Sequence, residues 1–162
     1  MKKQMKFTAI LLACISSQAS FASFDLISDI KIVNHYNAAL EFKVKTISQH
    51  NTHLPETFTL NSGDAITGDI IKMGSDGRPV QEVYFYVNEV LTDGDNDRGF
   101  PNAFFGANVS HAKPGADLAI HKYDVYPYQY GIAYSWTNRS ANDPYTVITF
   151  CSPDEFKKHQ HC

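Results

Sequence analysis

The feature that most limits the folds open to this chain is a series of short segments in which apolar and polar residues alternate. Leu40-Glu41-Phe42-Lys43-Val44-Lys45 is the clearest of them. Successive side chains of a strand point to opposite faces, so this pattern predicts a strand with one dry and one wet side. Residues 26–33, 58–60, 66–73, 80–91, 103–109, 118–123, 126–136 and 145–151 are also strand-like. Turn residues punctuate them, as in Asn34-His35-Tyr36-Asn37 and Asn61-Ser62-Gly63-Asp64. Gly74-Ser75-Asp76-Gly77-Arg78-Pro79 separates two of the segments and predicts a hairpin with a loop longer than two residues. No long stretch has the helical period. Eight or nine strands at this spacing predict an all-β fold, an antiparallel two-sheet β-sandwich, with a partly closed barrel as the other solution.

The two ends of the chain carry different signals. Lys2, Lys3 and Lys6 precede a short apolar run, Phe7 to Ile15, and small residues then lead to Ser20-Phe21-Ala22. This is the plan of a cleavable export signal over residues 1–22, with Ala19 as a second cleavage position. The run is shorter than the roughly 18 residues a membrane-spanning helix needs. Leu11-Leu12-Ala13-Cys14 leaves a lipid-attachment site as an alternative. Residues 23–162 then form a single domain in the periplasm or outside the cell, and the short lysine-led signal points to a bacterial source. Losing the three lysines leaves 11 basic against 17 acidic residues, a net charge of about −6. Such a balance favours neither nucleic acid nor an anionic membrane as partner.

At the other end, Cys151 and Cys162 are the two cysteines outside the signal. An oxidising compartment pairs them. Between them Ser152-Pro153-Asp154-Glu155 has the form of a helix start, with serine as cap, proline in the first turn and glutamate completing a capping box. A short C-terminal helix tied by a disulfide is the expectation.

Three groups of residues are candidates for function. In residues 126–136, Tyr126, Tyr128, Tyr130, Ile132, Tyr134 and Trp136 share one parity and therefore one face if extended. Tyrosine and tryptophan join apolar area to a polar tip and suit protein or glycan partners. The same rings also make an ordinary sandwich core, and Pro127 and Gly131 interrupt a regular strand, so both readings stay open. Asp93, Asp95 and Asp97 alternate in a tight acidic turn, as calcium ligands do. Arg98 stands where such a loop has glycine, and no glutamate follows at the bidentate position. The histidine pairs His50/His53 and His159/His161 are the third group, with transition-metal binding set against plain solvation.

For catalysis the chain has no Gly-x-Ser-x-Gly elbow, no His-Glu-x-x-His and no phosphate-cradling glycine loop. Asp117, His121 and Asp124 lie near one strand, but alternation places Asp124 opposite the other two. The resulting expectation is a non-catalytic binding protein that engages a protein or glycan outside the cytoplasm through a tyrosine-rich surface, with no cofactor, and with calcium at the acidic turn as the alternative to a solvated turn. A small secreted hydrolase is the alternative.

Over residues 28–70, a strand ending in Asn, an amphipathic strand, a Pro-led strand and a Gly turn follow in order. This resembles the opening of many secreted sandwich proteins, pore-forming cytolysins of the sea-anemone type among them. The resemblance implies a sandwich and adds a membrane-acting toxin as an alternative. That activity needs a detachable amphipathic segment, and the sequence displays none.

Overall fold

The computed structural model describes residues 26–46, 50–72, 82–90, 101–109, 118–122 and 132–162. These residues form ten strands and one helix. The strands are β1 (Leu26–Asn34), β2 (Leu40–Thr46), β3 (His50–Thr52), β4 (Thr57–Leu60), β5 (Ala65–Lys72), β6 (Val83–Glu89), β7 (Ala103–Val109), β8 (Leu118–Lys122), β9 (Ala133–Thr137) and β10 (Thr146–Cys151), and the helix is α1 (Pro153–His159). The strand beyond the expected nine is β3, whose three residues are too few for alternation to register. No helix among the described residues is long and apolar enough to cross a membrane.

Two five-stranded sheets result, one in the order β3-β5-β1-β10-β9 and the other β4-β2-β6-β7-β8. All pairings are antiparallel except β1 with β10, where Ile32 lies opposite Ile148 in a parallel ladder. The fold is therefore the expected two-sheet sandwich, with one parallel seam. The expected hairpin between residues 66–73 and 80–91 does not form. β5 pairs with β1 and β3, whereas β6 pairs with β2 and β7, so the chain passes from one sheet to the other between them. Turn residues permit a reversal but do not choose the returning strand's partner. Both edges of β5 are already occupied, which leaves none for β6.

One parity of each strand builds the core. Ile30, Ile32, Ile70, Ile148 and Phe150 of the first sheet face Leu40, Phe42, Val83, Phe85 and Phe105 of the second, all without solvent exposure. Phe42 stacks on Phe58 at 4.8 Å and Phe85 on Phe105 at 4.6 Å within the second sheet. Phe150 reaches across and meets Phe42 edge-on at 5.3 Å. Each such side chain contributes roughly 1.5–3 kcal/mol by leaving water.

Asn34 closes one end of this core. It is fully buried, and its amide donates to the carbonyls of Ala38 and Leu60 while its oxygen accepts from the Tyr36 N–H. One side chain thus ends β1, shapes the following turn and ties it to β4. The next turn needs Gly63, whose φ of 88° is a left-handed value that other residues rarely adopt.

The tail follows the sequence closely. Ser152 Oγ accepts from the Glu155 N–H at 3.2 Å, and Gln160 ends α1 in the left-handed conformation. Cys151 and Cys162 form a disulfide, and the Cys162 N–H donates to Ser135 Oγ of β9 at 2.9 Å. None of the helix's seven residues is buried. A helix this short is unstable alone, so the disulfide and the contact with β9 hold it in place.

Candidate functional site on the outward face of the second sheet

Strand parity decides what each sheet shows to the outside. In β6, Val83, Phe85 and Val87 point inward, so Tyr84 and Tyr86 point outward. In β7, Phe105 and Ala107 point inward and Phe104, Gly106 and Asn108 outward. Register then assembles a surface from residues distant in sequence. Tyr86 lies opposite both Lys43 of β2 and Phe104 of β7, while Tyr84 lies opposite Lys45 and Gly106. The Tyr86 and Phe104 rings stack at 4.7 Å with planes 9° apart, and Tyr84 leans on Phe104 at 5.5 Å. All three rings are half-buried.

The same face carries an acid–imidazole pair. Gly106 lies opposite His121 of β8, so no side chain of β7 stands in the row between Tyr84 and His121. His121 Nδ1 and Glu82 Oε1 form a hydrogen bond. The Glu82 side chain is only 4% exposed and that of His121 44%, so a buried carboxylate holds a half-exposed ring. Such a contact fixes the orientation of the imidazole and leaves Nε2 as the atom able to meet another molecule.

The sequence-predicted candidates divide among three places. Tyr126, Tyr128, Tyr130 and the acidic turn with Asp93, Asp95 and Asp97 lie outside the described residues. Tyr134 is buried at 5% exposure, packs on Phe105 and Phe150, and its hydroxyl donates to the Phe104 carbonyl at 3.3 Å. Trp136 shares its parity and lies opposite Ile148, but β9 is the edge strand of its sheet and Trp136 is 39% exposed. Lys122 Nζ stands 5.4 Å from the centre of the Tyr134 ring, where a cation–π contact forms.

Among the described residues, no three of His, Cys, Asp and Glu are grouped as metal ligands would be. His53 binds Asp69 at 2.8 Å on the outward face of the first sheet. The His159 and His161 rings lie 6.2 Å apart beside the tail. A groove of about 350 Å³ opens beside the ends of β2 and β3, with Val44, Leu54, Asn51, Thr52 and Glu56 among its lining residues. Thr52 binds Asn51 Oδ1 and the Asp69 carbonyl, and accepts from the Leu54 N–H. Asn51 and Thr52 thus bind the chain's own backbone.

The surface of Tyr84, Tyr86, Phe104 and His121 escapes sequence reasoning for a definite reason. Val83-Tyr84-Phe85-Tyr86-Val87 is apolar or aromatic at every position, so alternation within the strand is hidden. The usable signal is finer. Tyrosine takes one parity while valine and phenylalanine take the other, and tyrosine is the ring that tolerates a wet face. Neither protein-family models nor curated protein sequences match this chain.

Proposed function

We propose that this protein is an exported, non-catalytic interaction module that engages a protein partner through the outward face of β6 and β7. The observation carrying this reading is the half-buried ring cluster of Tyr84, Tyr86 and Phe104, standing on the side of the sheet away from the core. Aromatic rings on a rigid sheet offer large contact area at small entropic cost, as binding hot spots do. The ring geometry favours a protein over a glycan. A sugar stacks on an aromatic face, and Tyr86 and Phe104 each cover one face of the other, which reduces the ring face open to a sugar. The disulfide at the tail supports a location in the periplasm or outside the cell.

The test is to place a photo-crosslinking amino acid at Tyr86 and, separately, at Thr67 on the outward face of the first sheet, in cells that make the protein naturally. A discrete protein adduct at position 86 and none at 67 is expected. No adduct at 86, or the same adducts at both positions, overturns the reading.

The Glu82–His121 pair favours a second reading, a small hydrolase in which His121 Nε2 moves a proton. On a fluorogenic panel of ester, peptide and glycoside substrates, this reading expects turnover that His121→Ala abolishes and His53→Ala preserves. An inactive wild-type protein, or equal loss in both variants, removes it.

A further inference from the structure

We infer that the partner's contact segment is acidic; this rests on the proposed use of the β6–β7 face and adds the chemistry of what binds there. The chain as a whole carries excess negative charge, with 17 acidic against 14 basic residues. The outward face of the second sheet departs from that balance among the described residues. Lys43 and Lys45 alternate along β2, so both project to this side, directly opposite Tyr86 and Tyr84. The Lys43 side chain is 60% exposed, Lys45 is exposed, and the His121 ring is 44% exposed.

The described carboxylates that share the parity of this face, Glu41 and Glu82, are withdrawn. Glu82 is 4% exposed and bound to His121, while Glu41 is 25% exposed and 3.9 Å from Lys43 Nζ. Among the described residues that project from this face, the two ammonium groups therefore stand farther into solvent than the two carboxylates. Complementary charge at the rim of an aromatic patch steers encounter and selects partners. Nucleic acid is the poorer fit, because its affinity comes from neutralising many phosphates, about 6–10 in ordinary complexes, and two lysines on one strand supply few. An acidic peptide segment with apolar or aromatic residues matches both halves of the surface.

The experiment pans a phage-displayed library of random dodecamer peptides on the folded chain with its disulfide intact, using Tyr86→Ser as counter-target. Peptides that prefer the wild-type protein are expected to be enriched in Asp and Glu. Their affinity should fall about tenfold in Lys43→Glu/Lys45→Glu, the equivalent of about two surface charge pairs. A similar loss is expected between about 0.1 and 1 M NaCl, as the Debye length shrinks from about 10 Å to about 3 Å. Lys43→Gln/Lys45→Gln repeats the test without introducing repulsion and guards against misfolding of the reversed variant.

Peptides that depend on Tyr86 but show no acidic enrichment, or ignore both lysine variants, overturn the inference and leave the binding face standing. Displacement of the peptides by oligothymidine at matched charge overturns it in favour of nucleic acid. If no peptide distinguishes wild type from Tyr86→Ser, the binding face fails and the acidic partner fails with it.

Discussion

The two faces of the β6–β7 strand pair place nearly the same ring geometry in opposite surroundings. Inward, Phe85 and Phe105 stack at 4.6 Å with planes 3° apart, both without exposure. Outward, Tyr86 and Phe104 stack at 4.7 Å with planes 9° apart, both half-buried. Each is a directly opposed pair in one antiparallel ladder. Cross-strand register therefore sets the stacking, whichever side the rings lie on. Burial decides what the stack contributes. Phe105 is also wedged against Phe150 and Tyr134 from the other sheet, so its loss leaves a cavity between layers. Phe104 points away from the other sheet and stays half-buried, packed against Tyr86 and Tyr84.

The most direct way to break this comparison is to truncate one ring on each side. Phe105→Ala is expected to cost about 3–5 kcal/mol, from lost transfer energy and the cavity left behind. That is much of the 5–15 kcal/mol typical of a whole domain. Phe104→Ala should cost about 1 kcal/mol, near the worth of an aromatic pair. Urea unfolding followed by tyrosine and tryptophan fluorescence measures both. Equal losses would mean that the outward stack is structural, and the proposed binding face would lose its basis.

How much of this arrangement the sequence discloses depends on the distance over which the information acts. Local rules are legible. Alternation in Leu40–Lys45, the Asn61–Asp64 turn, and the Ser152-Pro153 helix start with its disulfide all appear where the residues predict them. The shared parity of Ile132, Tyr134 and Trp136 is legible too. The depth each ring reaches is not, because it depends on the place of β9 at the edge of its sheet. Strand pairing is hidden for the same reason. Nothing within β1 names β10 as its parallel neighbour, and the loop after β5 does not disclose that β6 belongs to the other sheet. The Glu82–His121 pair joins residues 39 apart in sequence and exists only because β7 lies between β6 and β8.

The next effect in size separates the tail from both faces. Cys151→Ser/Cys162→Ser is expected to lower stability by about 3 kcal/mol in the chain-entropy model for a loop of this length. Because α1 buries no residue, the freed tail should also become the first site of proteolysis. Peptide binding at the β6–β7 face should survive in the fraction that stays folded. Loss of binding in folded protein would show that the tail and that face act together.

The Glu82–His121 pair sharpens the comparison from the polar side. His121→Ala removes one partner of a carboxylate that stays buried, and about 1–3 kcal/mol of stability is expected to go with it. Adding Glu82→Leu should recover part of that loss, since no charge then remains to be solvated. A double-mutant cycle reads the coupling. Coupling near zero would mean that Glu82 is held by its other neighbours and that the imidazole is incidental to the face.

The smallest effect concerns polar atoms on the opposite side of the comparison, inside the core. The Ser28 and Thr146 hydroxyls are buried without a hydrogen-bond partner among the described residues. They belong to the inward face of the first sheet, where Thr146 lies opposite Ile30, two residues along β1 from Ser28. A buried hydroxyl left unmatched costs about 1–3 kcal/mol relative to a satisfied one, and an apolar group of the same shape avoids that cost. Thr146→Val keeps the β-branched outline and is therefore expected to raise the urea midpoint by the equivalent of about 1 kcal/mol, with an unchanged slope. A loss of stability would mean that a bound water satisfies the hydroxyl in solution. The contrast with Glu82 would then vanish: both faces would satisfy their buried polar groups, and they would differ only in how their rings meet the solvent.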